Sequence, residues 1–388
     1  MRKLQILHTV EFYHPRVGGA ETVVQRVSEG LIARGHRVTL ATSKVPERQC
    51  RSLNGVEIFE FDIAGNFAKG MYGRDISRYM QFLESYPIDI MMNYAAQQWA
   101  SDIAYRQILN GKIRGASILA ACGYSAMHDH RTVGVSEYAK YYSVILPTVL
   151  PHYDGVIYHS SSYKDYLFGQ LLRLNNGFVI PNSVDEEEFS LGSSAYFRQK
   201  YGISTSRMIL CVANYLKNKG HDKVIRAFSQ LKDPDATLVF IGNQSETLDA
   251  LRQQASGLKV NFLTGVSRAD TVQAFKSADL FMFGSSTEAF PLVILEAMAS
   301  KLPFVSTECG NIKELKGGIV CSEEQLPAQA KEILDNPALR EKLGHDGWQQ
   351  WQNKYTFKAV VEQYENLYYR LAERKWSKHS SSMSVERV

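Results

Sequence analysis

The stretch Ser285-Ser286-Thr287-Glu288-Ala289-Phe290-Pro291-Leu292-Val293-Ile294-Leu295-Glu296-Ala297-Met298-Ala299 follows the apolar run Leu280–Phe283. The run reads as a buried strand, and Pro291–Ser300 reads as a helix. Pro291 suits a first helical turn, where its missing N–H leaves no bond unmade. The free N–H groups and the positive dipole end of that turn favour a phosphate. Glu288 stands before the helix, where its carboxylate would accept sugar hydroxyls. Glu296 stands inside it, and one such acceptor suits the two hydroxyls of a ribose. On spacing alone, two solvated glutamates on an amphipathic helix explain the pattern slightly better.

The surroundings repeat the strand-then-helix order. Strands are expected at Met208–Val212, Thr237–Ile241, Val260–Leu263, Leu280–Phe283 and Phe304–Ser306, with helices near Asp222–Leu231, Glu246–Ala255, Arg268–Ala278 and Pro291–Ser300. Ser267 with Asp270 makes a capping-box start for the third helix. The first half alternates more loosely. Leu4–Val10 reads as a strand, Glu21–Arg34 as a helix with its apolar stripe at Val23, Val24, Val27, Leu31 and Ile32, and Val38–Thr42 as the next strand. Ile88–Asn93, Ser117–Ala121 and Val156–His159 are further strands. Strand, loop, helix, strand is a βαβ unit and implies a parallel sheet. Two such α/β domains in series place ligands at the carboxyl ends of their strands, and clefts between domains are common small-molecule sites.

A length of 388 residues fits two domains, each able to bury a core. A net charge of +4 is too mild to indicate nucleic acid. Met1–Ile180 carries 19 Lys and Arg against 15 Asp and Glu, and the rest is balanced at 25 each. The surplus reads as a slightly basic first domain, with a face for anionic lipid or an anionic acceptor as the sharper alternative. Five widely spaced cysteines without CxxC argue against a disulfide framework or zinc site and fit a reducing cytoplasm. The apolar run after Met1-Arg2-Lys3 ends by His8, too short for a signal peptide. No run approaches a membrane span.

The residues quoted first resemble those of glycosyltransferase family 4. Glu288 and Glu296, with seven residues between, look like its E-x7-E motif, and Leu302-Pro303-Phe304-Val305-Ser306-Thr307 also matches. Gly18-Gly19-Ala20-Glu21 is similar to the family's first glycine loop, Ile180-Pro181-Asn182-Ser183-Val184-Asp185 to its domain-linking segment, and Lys219-Gly220-His221-Asp222 to its phosphate-binding lysine. Thr264-Gly265-Val266 resembles the segment whose backbone meets the nucleobase. Trp348–Arg374 resembles its C-terminal helices. The resemblance covers nearly the whole chain. It implies the GT-B fold: α/β, two facing Rossmann-like domains, the first at 1–183, the second at 184–355, a C-terminal helix at 356–376 returning to the first, and a polar tail at 377–388.

The resemblance also implies roles. Glu288 would hold the donor sugar, Glu296 the ribose, Gly265 and Val266 the base, and Lys219 with the Phe290–Val293 backbone, entered through Ala289 and spanning Pro291 and Leu292, the diphosphate. Gly18 and Gly19 would let phosphate and acceptor approach without a blocking side chain. Two departures stand out. The arginine that accompanies the lysine is replaced by Asn214, which donates hydrogen bonds without charge; Lys217 and Arg16 are candidate substitutes. The histidine at the end of a first-domain strand is replaced by Cys122, more simply read as a small buried residue. His128 and His130 follow, and either one of them reaches the sugar, with His128 taken as the catalytic candidate, or the histidine role is absent.

His128-Asp129-His130 lacks a third ligand and reads as a polar loop rather than a metal site. Asp233-Pro234-Asp235 reads as a turn. No metal and no cofactor beyond a nucleotide-sugar cosubstrate are expected. Tyr138, Tyr141, Tyr142, Tyr153, Tyr158, Tyr163 and Tyr166 read as core above a membrane-surface role, and peripheral membrane association stays open. The expected activity is transfer of a sugar from a nucleotide sugar to a glycan or lipid-linked acceptor with retention, in cell-surface polysaccharide or glycoconjugate synthesis. A nucleotide-sugar epimerase and a non-catalytic sugar-nucleotide-binding protein are the alternatives.

Overall fold

The computed structural model describes residues 2–16, 18–127, 137–190 and 194–385. The chain forms two compact units, Met1–Pro181 with Val360–Val388, and Asn182–Ala359. The crossings thus fall at 181/182 and 359/360 rather than at 183/184 and 355/356. Hydrogen bonds explain the difference. Ile180 donates its N–H to the Tyr158 carbonyl at 2.9 Å in the first unit. Asn182 Nδ2 donates to the Phe290 carbonyl at 3.0 Å in the second. Val184 pairs with Thr356, and its N–H reaches the Tyr355 carbonyl at 3.1 Å, tying both crossing strands to the second unit.

The second unit holds a six-stranded sheet in the order Val260–Leu263, Ala236–Ile241, Arg207–Val212, Leu280–Phe283, Phe304–Thr307, Gly318–Cys321. All its pairings are parallel. Alternate side chains enter separate cores: Met208, Leu210, Phe281 and Phe283 on one face, Ile209, Cys211, Leu280 and Met282 on the other. Burial on both faces is why these strands read as unbroken apolar runs. Strand order reverses between Arg207–Val212 and Leu280–Phe283. That topological switch point sets the loops leaving their carboxyl ends side by side, where open α/β sheets bind ligands.

The first unit's sheet runs Gly177–Val179, Gly155–Tyr158, Ala116–Ala120, Ile90–Tyr94, Gln5–Thr9, Arg37–Ser43, Val56–Phe61, Ser52–Leu53. Only the last pairing is antiparallel. Its order reverses between Gln5–Thr9 and Ile90–Tyr94. Val56–Phe61 was not anticipated, because near the sheet edge it alternates buried Val56 and Ile58 with exposed Glu57. A second small sheet, Ile63–Asn66 with Gly70–Gly73, was also missed. The tyrosine-rich region is core: Tyr141, Tyr142, Tyr153 and Tyr158 bury with Leu146 and Leu150, and Tyr138 and Tyr166 pack against them. No helix among the described residues is long and apolar enough to cross a membrane.

The C-terminal helix spans Phe357–Val385. It therefore continues through most of the stretch expected as a polar tail. From Val360 it belongs to the first unit, where Tyr364, Tyr368, Leu371 and Ala372 are buried. Glu365 accepts from Arg34 Nη2 at 2.6 Å and from His36 Nε2 at 2.9 Å. The Tyr368 hydroxyl lies 2.9 Å from Nε2 of His8, a fully buried residue of the central strand, whose Nδ1 lies 2.7 Å from Ser28 Oγ. Ser28 Oγ donates to the Val24 carbonyl, so it accepts from His8 Nδ1–H.

Burial lowers the His8 pKa to about 3. Below the ordinary value of 6.5 the unfolded chain takes up a proton that the folded unit refuses, so stability falls as pH drops from 6.5 toward 3. His8→Gln keeps a donor and an acceptor without titrating. Between pH 6.5 and 5 the variant should lose about 1.5 kcal/mol less stability than the parent chain, read from urea midpoints at the two pH values. Parallel pH curves for the two proteins would refute this.

Candidate donor site of the second unit

Two loops meet at the second unit's switch point. One leaves Arg207–Val212 and carries a short 3-10 turn, Lys217–Lys219, before the helix His221–Leu231. The other leaves Leu280–Phe283 and enters the helix Leu292–Ala299. Gly220, at φ +65°, lies so close to the second loop that a Cβ there would stand 1.9 Å from the Gly284 carbonyl oxygen. A Cβ on Gly284 would stand 2.4 Å from the Gly220 oxygen. Only glycine on both sides permits this approach. The Ser286 N–H donates to the Asn218 carbonyl at 2.9 Å and seals the contact.

The consequence is an ion pair. Lys219 Nζ lies 2.7 Å from Glu288 Oε1, which also accepts from Ser285 Oγ at 3.0 Å. Both side chains are largely buried, at 23% and 16% exposure. The resemblance assigned these two residues to different parts of one ligand, and in the structure each neutralises the other. Lys223, one helical turn after Lys219, donates to Ser286 Oγ at 3.0 Å. It is a second cation at this loop that the sequence reading overlooked, whereas Lys217 is exposed. Asn214 is exposed at the end of its strand. Cys309 lies close by, and burial, reinforced by Glu288, pushes its thiol up to about 12.

Pro291 proves to be the residue before the helix, which starts at Leu292. Its carbonyl accepts from Ile294 N–H at 3.3 Å. Proline has no N–H, so the amides available to an anion at this terminus are those of Phe290, Leu292 and Val293. Phe290 is buried against Tyr355, with ring centroids 5.7 Å apart. Gly310 supports the loop from beneath: a Cβ there would stand 2.8 Å from the carbonyl oxygens of Glu288 and Ala289.

Glu296 is nearly buried and pairs with Arg268 Nη1 at 2.5 Å. No motif in the chain pointed to that arginine. Arg268 also grips Glu188, Nη2 to Oε2 at 2.8 Å and Nε to Oε1 at 3.3 Å. Arg268 is 39% exposed; its partial desolvation acts to discharge the guanidinium, but Glu296 and Glu188 outweigh that and raise its pKa further. Ser267 Oγ accepts from the Asp270 N–H at 3.1 Å, as the capping pattern predicts. Gly265, at φ +66°, has nothing within 4 Å of where a Cβ would stand, and Val266 is half-buried.

In the first unit, helix Gly19–Ala33 starts two residues earlier than expected. Gly18 precedes it in extended conformation, and a Cβ there would meet the Glu21 carboxylate at 2.4 Å. A Cβ on Gly19 would meet nothing within 4 Å. At this unit's switch point the Glu11 N–H donates to Gln98 Oε1 at 2.6 Å. Arg16 stacks over Phe12, 4.4 Å from its ring centroid. Cys122 takes φ +58°, with Sγ 3.5 Å from Nε2 of buried His159, and burial pushes its thiol up to about 12. That makes it a protonated, inert thiol at neutral pH. His128 and His130 lie outside the described residues.

Asp233-Pro234-Asp235 is a turn. Asp235 N–H donates to Asp233 Oδ1 at 2.9 Å, and Asp233 pairs with Arg207 at 2.9 Å. Among the described residues no three His, Cys, Asp or Glu side chains converge as a metal site. All five cysteines are free.

The glycine contact gives a direct test. Gly220→Ala combines a left-handed φ with a clash against backbone, and should cost about 2–3 kcal/mol. It should also part Lys219 from Glu288 and weaken nucleotide binding. Unchanged thermal stability and binding would show that the loops do not need this approach.

Comparison with known proteins identifies the family and the fold. The model of Glycosyltransferase Family 4 matches residues 17–188, and that of Glycosyl transferases group 1 matches 194–350. N-acetyl-alpha-D-glucosaminyl L-malate synthase of Bacillus anthracis is 24% identical over 377 residues, covering 92% of this chain and 95% of its own. Sucrose-phosphate synthase of Thermosynechococcus elongatus has the same fold, with a TM-score of 0.77 at 17% identity, covering 95% of this chain and 99% of the other. Anabaena HepE, solved with UDP and glucose, gives a TM-score of 0.72 at 16% identity, with 95% and 100% covered. With two parallel α/β units and a C-terminal helix shared with the first, the chain belongs to the family 4, group 1 glycosyltransferases of GT-B fold, enzymes that act on sugar donors.

Proposed function

We propose that this glycosyltransferase takes a nucleotide sugar in its second unit and transfers the sugar, with retention, to a glycan or lipid-linked acceptor bound by its first unit. The observation that carries the donor assignment is the Lys219–Glu288 pair at the switch point. A nucleoside diphosphate brings negative charge that competes with Glu288 for Lys219. A sugar brings hydroxyls that occupy the released carboxylate. The pair is thus matched to a ligand that is anionic at one point and rich in hydroxyls next to it. HepE, on the same fold, was solved with UDP and glucose.

In the reaction, the bond from the anomeric carbon to the diphosphate breaks. The acceptor oxygen bonds to that carbon on the face the diphosphate leaves, and the acceptor proton passes to a departing phosphate oxygen. No side chain is assigned as nucleophile. Lys219, Lys223 and the amides of Leu292 and Val293 would stabilise the charge that develops on the diphosphate, a contribution often larger than any other in catalysis. Lys223 offers the charge that Asn214 lacks. No metal is needed where such cations and a helix terminus take that role. A place in cell-surface polysaccharide or glycoconjugate synthesis, on soluble or membrane-associated acceptors, fits this chemistry.

Three outcomes test the reading. With UDP-, GDP-, ADP- and dTDP-sugars screened by thermal shift, the matching donor at 100 times its Kd should add about 2.7 kcal/mol of stability. Glu288→Gln should then bind the bare nucleoside diphosphate at least as well as the parent, since Lys219 is released, but gain nothing further from the attached sugar. Equal weakening of both ligands would mean that Glu288 does not hold the sugar. In the first unit, Gly19→Ala has room for its methyl and should stabilise the chain by about 0.5–1 kcal/mol. Its transfer rate should nevertheless fall sharply, because the methyl occupies the space kept for phosphate and acceptor. Undiminished transfer would remove Gly19 from the site.

A further inference from the structure

Glu296 lies in an almost wholly apolar helix, Leu292–Ala299, between buried Leu295 and Ala297, and its side chain is only 8% exposed. A carboxylate in such surroundings either takes up a proton or finds a fixed cation. The cation is Arg268, 2.5 Å from Oε1. Arg268 is itself held. Two of its three guanidinium nitrogens contact the two carboxylate oxygens of Glu188, at 2.8 and 3.3 Å. Its guanidinium carbon lies 5.6 Å from the Phe189 ring centroid. Glu188 stands in the helix Glu186–Ser190, whose first residue accepts the N–H groups of Phe357 at 2.8 Å and Lys358 at 3.3 Å. The fork geometry of arginine lets Glu188 fix the plane of the group while the remaining nitrogen points at Glu296. Arg268 also begins its helix, with only the cap residue Ser267 between it and Thr264-Gly265-Val266.

We infer that Arg268, gripped by Glu188, is a positioning residue that sets Glu296 for a ribose and makes this unit select ribonucleoside over 2′-deoxyribonucleoside diphosphates. The inference rests on the donor-site reading above. With Oε1 committed to Arg268, Oε2 is left in one orientation to accept ribose hydroxyls. A ligand lacking the 2′-hydroxyl displaces water from that oxygen without returning a bond, which is the situation in which polar sites discriminate most strongly. A glutamate free to turn toward solvent would discriminate far less.

Calorimetric titration of the full chain tests this. The probes are UDP, GDP and ADP, each against its 2′-deoxy form. The parent chain should bind its preferred ribonucleotide about 10- to 100-fold more tightly than the deoxy counterpart. Arg268→Gln and Glu188→Ala should each bring that ratio toward one by weakening the ribonucleotide while leaving the deoxynucleotide unchanged. A merely structural role for Arg268 would weaken both ligands and keep the ratio. Glu188→Ala retains the Arg268–Glu296 charge pair, so it remains informative if Arg268→Gln does not fold. If Glu296→Gln abolishes the ratio and the Arg268 and Glu188 variants preserve it, the positioning role is overturned and the donor site stands. If the parent chain binds no nucleotide, or Glu296→Gln leaves the ratio intact, the donor-site reading fails and this inference with it.

Discussion

The second unit is organised around the contact between the backbones of Gly220 and Gly284. Two loops at the carboxyl ends of adjacent strands approach until neither has room for a Cβ. Strand order makes them neighbours, because the sheet grows outward in both directions from Arg207–Val212 and Leu280–Phe283. Glycine then lets them close, and Lys219 comes within 2.7 Å of Glu288 although 68 residues separate them. The other features at this edge depend on that placement. Ser285 and Lys223 join the same cluster, and Gly310 supports the loop from below.

A common electrostatic pattern follows. Each carboxylate assigned to a sugar hydroxyl is held by a cation of its own unit: Glu288 by Lys219, Glu296 by Arg268. Partly desolvated charges cannot stand alone, so each of these carboxylates is paired with a cation of its own unit. The two pairs nevertheless differ. Lys219 is the expected partner of the ligand's own charge and must exchange Glu288 for it. Arg268 is held by two carboxylates and has no such competitor, so it acts as a fixed support.

The first unit gathers unusual backbone at the ends of its strands. Backbone conformations uncommon for side-chain-bearing residues gather at the ends of its strands, at Ala95, Gln97, Cys122 and Ala126. Such conformations persist only where surrounding structure enforces them and tend to cluster at functional edges. Gln97 shows the enforcement, accepting the Ser125 N–H at 2.7 Å and donating to the Tyr142 hydroxyl at 2.9 Å. Cys122 joins this group with a thiol that burial keeps protonated at neutral pH.

The sequence alone determined the architecture, and it named the residues proposed here as a donor site. Its buried parallel strands are apolar on both faces, so they stand out as runs such as Leu280–Phe283, and glycines, prolines and caps such as Ser267 mark what lies between. It missed Val56–Phe61, whose alternation belongs to a strand near an edge, and ended the last helix too early because a polar surface helix resembles a tail. Glu288, Glu296 and Lys219 stood out through the resemblance of their short motifs to family 4, not through spacing alone. Their partners did not: nothing near Arg268 in the chain distinguishes it from any charged residue at a helix start. Only the tertiary structure decided that Lys219 meets Glu288 and that Arg268 joins Glu188 to Glu296. Pairings over such separations depend on strand order and on the absence of two Cβ atoms, and neither is a property of any short stretch of sequence.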